Sequence, residues 1–251
     1  MLELVGGALI GLILSLTLQA YLRPFASLME RIGRRHFSKP ILVHVEHDPS
    51  IVWNGEPDWV PLSVYIDDPM RMARINPLNR DEWVEQARLA NAVDAGMTFL
   101  KATIQAKSDA AVVIESVRVV VHRKVQLDGG MILTRPTGGA DLVPRRIEID
   151  FDFNPNSPLV TWYKAGGEPG KPISINLSSG EIEQFHIWAK AYQGVEAVRY
   201  EWSFELLLLV EGARRVHRID DNGKPFVTVC PGNLPARFNL PGTNEWRESL
   251  G

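Results

Sequence analysis

With 251 residues, 45% hydrophobic and 23% charged, the chain is long enough to bury a core without disulfides or a structural metal, and its composition excludes a disordered polymer. Its net charge of -3 is unevenly placed: residues 1–22 carry -1, residues 23–39 carry +4 and the remainder carries -6. The body therefore lacks the clustered Lys and Arg that nucleic-acid phosphates demand, and Cys230, the single cysteine, excludes an intrachain disulfide and suits a reducing compartment.

The chain opens on nineteen uncharged residues, Leu4 to Leu22, framed by Leu4, Leu9, Leu12, Leu16 and Leu22. As a helix this run spans roughly 28 Å, close to the ~30 Å hydrocarbon core of a bilayer, so residues 1–22 are expected to form a transmembrane anchor. A cleaved signal peptide needs basic residues ahead of the run and a small-x-small site behind it, whereas here the only early charge is Glu3 and the run ends Gln19-Ala20-Tyr21-Leu22-Arg23. Such a signal and a buried soluble helix are the rival readings.

Behind the anchor, residues 23–39 form a basic collar of Arg23, Arg31, Arg34, Arg35 and Lys39. Short basic flanks stay on the cytoplasmic side, which places the N-terminus outside and the body in the cytoplasm, with the collar against anionic lipid. Phe25, Leu28, Met29 and Ile32 recur at helical spacing opposite Glu30, Arg31, Arg34 and Arg35, which fits an amphipathic helix at the headgroups or one packed on the body. Gly7 and Gly11 set a GxxxG spacing that lets two anchors approach as a homodimer; the alternative is that Gly is simply common in membrane helices.

From residue 40 the dominant period is two. Strands are expected at Ile41–Glu46, Thr98–Lys107, Val112–Val121, Arg146–Phe153, Ile173–Leu177, Ile182–Lys190, Tyr200–Val210 and Arg215–Ile219, with shorter ones at Leu62–Ile66, Leu159–Tyr163 and Phe226–Val229. Asp81–Val93 reads as the one short inserted helix, with Trp83, Ala87 and Ala90 on its apolar side. The expected fold class is all-β, an antiparallel β-sandwich of immunoglobulin-like architecture over residues 40–229. It is either one unit or two packed β units with a break near 67–96, and an irregular tail follows at 230–251. Glu211-Gly212 and Asn222-Gly223 are hairpin-turn signals, from which a three-stranded meander over 200–229 is expected.

No stretch carries a recognisable catalytic or metal motif, and no cofactor is expected. Gly166–Lys171 (GGEPGK) has three residues between its outer glycines where a phosphate loop has four, and Pro172 follows the lysine. His44, Glu46 and Asp48 alternate, as do Glu148, Asp150 and Asp152; both sets are what a half-solvated strand presents, and neither has a second ligand cluster. Asp220-Asp221-Asn222-Gly223 lacks the remaining oxygens of a calcium loop, and Leu177-Ser178-Ser179-Gly180 lacks the first glycine of a nucleophile elbow. Cys230, with His186 and His217 elsewhere in the chain, has no nucleophile signature around it.

Five tryptophans, Trp53, Trp59, Trp162, Trp188 and Trp202, are candidates for core or contact surface. Trp188 shares a strand face with Gln184, His186 and Lys190, opposite Phe185, Ile187 and Ala189, so it is the aromatic expected to stand exposed and to touch a partner. Residues 92–121 (AVDAGMTFLKATIQAKSDAAVVIESVRVVV) and the run Trp202–Phe226 resemble a group of uncharacterised actinobacterial membrane-anchored β-sandwich proteins. That resemblance implies a bacterial, Gram-positive host, and since those proteins have no assigned activity it carries no catalytic role to this chain. The expected function is a single-pass membrane-anchored binding module, an adaptor or sensor for a protein or small ligand; the alternatives are an exported, surface-tethered domain and an enzyme of unrecognised type.

Overall fold

The computed structural model describes residues 40–52, 62–75, 80–107, 111–135, 145–164, 168–170, 174–239, 243 and 245–248. The anchor leucines, Gly7, Gly11, the basic collar, Trp53, Trp59, Gly166, Gly167 and Lys171 lie outside the described residues. Ile41–Gly251 forms one compact unit.

Its strands are β1 (Ile41–Glu46), β2 (Leu62–Ile66), β3 (Val93–Ala95), β4 (Met97–Ala106), β5 (Val112–Gln126), β6 (Met131–Arg135), β7 (Arg146–Asp150) and β8 (Leu159–Tyr163). They continue as β9 (Pro169–Gly170), β10 (Ile175–Leu177), β11 (Ile182–Lys190), β12 (Val198–Val210), β13 (Ala213–Ile219), β14 (Phe226–Cys230), β15 (Ala236–Asn239) and β16 (Trp246–Arg247). Six of them make one sheet in the order β1-β4-β11-β7-β8-β9. A ten-stranded sheet runs β10-β5-β12-β14-β3-β2-β6-β15-β16, with β13 also paired to β12.

The period-two pattern builds the main core directly, because successive side chains of a strand point to opposite faces. Leu100, Ala102 and Ile104 of β4, Ile147 and Ile149 of β7, and Phe185, Ile187 and Ala189 of β11 join Trp202, Phe204, Leu206 and Leu208 of β12 in a single buried cluster. Rings lock it: Trp202 lies 5.1 Å from Phe226, and Trp162 lies 5.8 Å from Phe185. A second cluster gathers Val64, Ile66 and Leu133 with Phe99 and the helix Arg80–Leu89, which buries Trp83 and Ala87. That helix is shorter than its sequence pattern. Asn91 takes φ 54, a left-handed conformation that ends helices, and Val93 already belongs to β3.

Several sequence expectations are corrected. The strictly antiparallel, immunoglobulin-like order does not form, since β11–β7, β14–β3 and β15–β6 pair in parallel. Of the strands before residue 67, β1 joins the six-stranded sheet and β2 the ten-stranded one. Between β2 and the helix, Pro69–Arg74 is a 3-10 turn whose Asp68 side chain accepts from the Met70 N–H. The tail is not irregular throughout, for β15 adds to β6 and β16 to β15. β7 stops at Asp150, whose carboxylate accepts the Asp152 and Phe153 amides and turns the chain, so 151–153 is not strand.

The meander is also different from expectation. Glu211 and Gly212, at φ 51 and 78, make the two-residue turn joining β12 to β13. Asn222-Gly223 does not join two paired strands: Ile219 sits opposite Phe204 and Phe226 opposite Trp202, so β13 and β14 both pair with β12 and residues 220–225 loop out between them. Along its other edge β12 pairs with β5 through two register shifts, which leave Glu115 and His122 of β5 without a direct partner. Bulges re-aim side chains, and here Glu115 bonds Arg214 while His122 reaches Ser203.

A single residue, Gly96, carries the chain from β3 in one sheet to β4 in the other, at φ +74. A Cβ there would stand 2.4 Å from the Tyr192 ring, whereas one at Gly129 would meet nothing within 4 Å. Gly96→Ala is expected to cost about 2 kcal/mol or more in denaturant unfolding, and Gly129→Ala to stay within about 0.5 kcal/mol of the parent.

Candidate functional site

The outer face of the six-stranded sheet, opposite the main core, carries a row of polar side chains set by register. Glu46 of β1 is opposite Lys101 of β4, Lys101 is opposite His186 of β11, His186 is opposite Arg146 of β7, and Arg146 is opposite Tyr163 of β8. The next row is Phe99, Trp188, Glu148 and Thr161. Two residues further along β11, Lys190 adds a second cation.

Arg146 is the centre of this face. It is 9% exposed, and Glu148 beside it is 8% exposed. The Tyr163 ring centroid lies 4.1 Å from the guanidinium and the Trp188 ring 4.2 Å from it. Such contacts contribute about 0.5–2 kcal/mol each. Glu148 Oε1 takes a hydrogen bond from Lys190 Nζ, and its Oε2 stands 3.5 Å from Arg146 Nε. Among the described residues, Arg146 Nε and Nη1 and Glu148 Oε2 have no hydrogen-bond partner. Trp188 also meets Phe99 edge-on at 5.7 Å.

Trp188 therefore lies on the expected face, but it is half-buried rather than exposed, because Phe99 and Arg146 arrive from strands far away in sequence and cover it. Trp162 and Trp202 are core residues. His186 shares the face, and burial, followed by the Lys101 charge, pushes its imidazole down to about 4.

The other sequence candidates are each occupied structurally. Glu46 Oε1 accepts the His47 and Asp48 amides, and its other oxygen stands 4.0 Å from His44 Nε2. Asp152 accepts the Tyr192 and Gln193 amides, so Glu148, Asp150 and Asp152 serve three separate tasks. Asp220 accepts the Gly223 N–H and shapes the turn. Among the described residues no group of His, Cys, Asp or Glu is placed to hold a metal ion. Ser178 lies in a turn where its N–H donates to Glu181. Cys230 is buried in the main core, which pushes its thiol up, while His186 stands on the far face of the other sheet.

Two polar constellations were not foreseen. Ser203 Oγ lies 2.8 Å from His122 Nε2, and Arg218 Nη2 lies 3.2 Å from that same nitrogen. Since a guanidinium only donates, Nε2 accepts and the serine hydroxyl is its second donor. Ser203 is fully buried, which withholds its hydroxyl from any substrate, so this is a structural bond. The second constellation is a buried chain in which Trp202 Nε1 donates to Thr228 Oγ1 at 3.0 Å and Thr228 Oγ1 lies 2.7 Å from Thr98 Oγ1. Thr98 also bonds Asp94, whose carboxyl burial pushes up to about 6 against the opposing pull of His47 and Thr98.

With this geometry in view, comparison with known proteins adds little. A scan against protein-family models matches none, and no curated protein matches. Among solved structures the chain is similar to a family 123 glycoside hydrolase from Clostridium perfringens at 11% identity and a TM-score of 0.28, over 55% of this chain and 22% of the hydrolase. A likeness of that size supports no statement about fold or activity. The described residues are mostly strand, and no helix among them is long and apolar enough to cross a membrane.

Asp94 and His186 are shifted in opposite directions, which sets a test. Between about pH 4 and 6 folded Asp94 holds more proton than unfolded Asp94, so its contribution to stability falls as pH rises. Folded His186 holds less than its unfolded counterpart, so its contribution rises with pH over the same interval. Denaturant midpoints taken from pH 4 to 7 should show Asp94→Asn losing stability on acidification more steeply than the parent, and His186→Gln less steeply. Identical slopes in all three would contradict both shifts.

Proposed function

We propose that the chain is a single-pass membrane-anchored binding module in which the two sheets close as a β-sandwich, and that it contacts its partner through the outer face of the six-stranded sheet. The observation that supports this reading is the Arg146 guanidinium held between Tyr163 and Trp188. Arg, Trp and Tyr are the residue types that dominate binding hot spots, and here they are packed together on one face of the sheet. The apolar run Leu4–Leu22 and the collar Arg23 to Lys39 support a membrane anchor with the body in the cytoplasm, against anionic lipid.

A photo-crosslinking amino acid at Gln184, exposed on this face, is compared in living cells with one at Val216, exposed on β13 of the other sheet. A discrete adduct is expected from Gln184 and none from Val216. Equal adducts, or none from Gln184, would sink the partner surface. Sidedness is read separately with Val195→Cys, since Val195 is 86% exposed and native Cys230 is buried. An impermeant thiol reagent should label it only after permeabilisation, and labelling of intact cells would reverse the orientation.

A further inference from the structure

We propose that β1 pairs with β1 of a second copy of this chain, antiparallel across a two-fold axis, so that the six-stranded sheets of two copies run on as one. β1 is an edge strand, with β4 on one side of it and no described strand on the other. Open edges invite a further strand, and proteins guard them with basic side chains, proline or short length. This molecule does so elsewhere. β13, which also pairs on one side only among the described strands, carries Arg214, Arg215 and Arg218, and β9 at the far edge of the same sheet is the dipeptide Pro169-Gly170. β1 runs Ile-Leu-Val-His-Val-Glu over six residues with no lysine, arginine or proline.

The ladder decides which backbone groups face the open side, because alternate residues of a strand turn their N–H and C=O to opposite neighbours. Ala106 of β4 turns toward β11, its N–H donating to Glu181 O and its carbonyl accepting from Gly180 N–H. Gln105, Thr103 and Lys101 therefore turn toward β1 and meet Leu42, His44 and Glu46. That leaves the amides and carbonyls of Ile41, Val43 and Val45 pointing outward, with no hydrogen bond on that side among the described residues. The Ile41 side chain is in the main core, and Val43 and Val45 are partly buried against it, so an added strand brings its own valines beside theirs.

Register follows from two occupied neighbours. A pair centred on Val43 sets Ile41 against Val45 of the second copy, and Ile41 is fully buried. A pair centred on Val45 needs the His47 amide, which already donates to Glu46 Oε1 at 2.9 Å. Centring on His44 needs neither: Val43 of each copy exchanges hydrogen bonds with Val45 of the other, and His44 stands opposite itself, which makes the contact isologous. The same symmetric pairing of β13 about Val216 would set Arg214 against Arg218, like charge against like. The chain ahead of β1 favours a second copy over a strand of another protein. Residues 23–40 join Ile41 to the apolar run Leu4–Leu22, where the Gly7 and Gly11 spacing lets two helices approach. Two copies held by that run in one bilayer meet at raised effective concentration.

The test is a disulfide at the two-fold axis. Directly opposed residues of a non-hydrogen-bonded pair have Cα atoms about 4.5 Å apart, within disulfide reach, so a cysteine at 44 meets its own copy. A cysteine at 42 sits about four residues, or about 13 Å, from its copy and cannot bridge. Both side chains are exposed, and native Cys230 is buried. The full-length His44→Cys and Leu42→Cys chains are oxidised briefly in a lysate of cells expressing them and resolved on a non-reducing gel. At least tenfold more disulfide-linked dimer is expected from His44→Cys than from Leu42→Cys, reversed by reductant. Equal yields from the two, no dimer from His44→Cys, or a disulfide from it to a chain of different mass would overturn the proposal. The Gln184 adduct is read separately, so loss of the disulfide with that adduct retained removes the β1 pairing and leaves the partner surface.

Discussion

Between Ala95 and Met97 the chain leaves one sheet and enters the other with only Gly96 in between, and both sheets are tied to that residue. Its N–H donates to Val229 O in β14 at 2.7 Å, and its carbonyl accepts from Ala191 N–H, just past β11, at 2.8 Å. A left-handed conformation and a ring packed where a Cβ would stand together demand glycine here. The seam continues inward, where Thr98 on β4 meets Thr228 on β14, whose hydroxyl oxygen also accepts from Trp202 Nε1 on β12. Buried hydroxyls satisfied in this way fix one register where an apolar seam would tolerate several.

The outer face of the six-stranded sheet depends on that register. Once β4 leaves Gly96, Phe99 and Lys101 point outward and Leu100 and Ala102 inward, and β11 pairs with β4 over its full length. A slip of one residue would send the whole set to the opposite face. The parallel addition of β7 then places Arg146 beside His186, and Glu148 beside Trp188. Buried apolar residues on the inner side hold these strands, and with them the guanidinium between its two rings.

How much of this was legible in sequence follows from the range of each interaction. β1 and β11 were readable end to end, since alternation within one strand is local information. The company of Trp188 on its own strand was equally readable, but its burial was not, because Phe99 lies on β4 and Arg146 on β7. Pairings such as β14 with β3 join residues more than a hundred positions apart and leave no mark on local periodicity. The Asn222-Gly223 turn misled for a related reason: the turn chemistry was right, yet β12 rather than β13 proved the better partner for β14. At the end of β7, Asp150 captured backbone amides that the alternating pattern had assigned to a strand. The anchor and collar, which carried the sequence reading of location, lie outside the described residues.

The central claim is that Arg146 is clamped by its rings on the outer face of the six-stranded sheet. It is tested most directly by a double-mutant cycle in unfolding free energy between Arg146→Gln and Trp188→Leu. The account predicts a favourable coupling of about 1 kcal/mol or more, as expected for a desolvated cation on an aromatic face. A coupling indistinguishable from zero would mean that the ring does not hold the guanidinium.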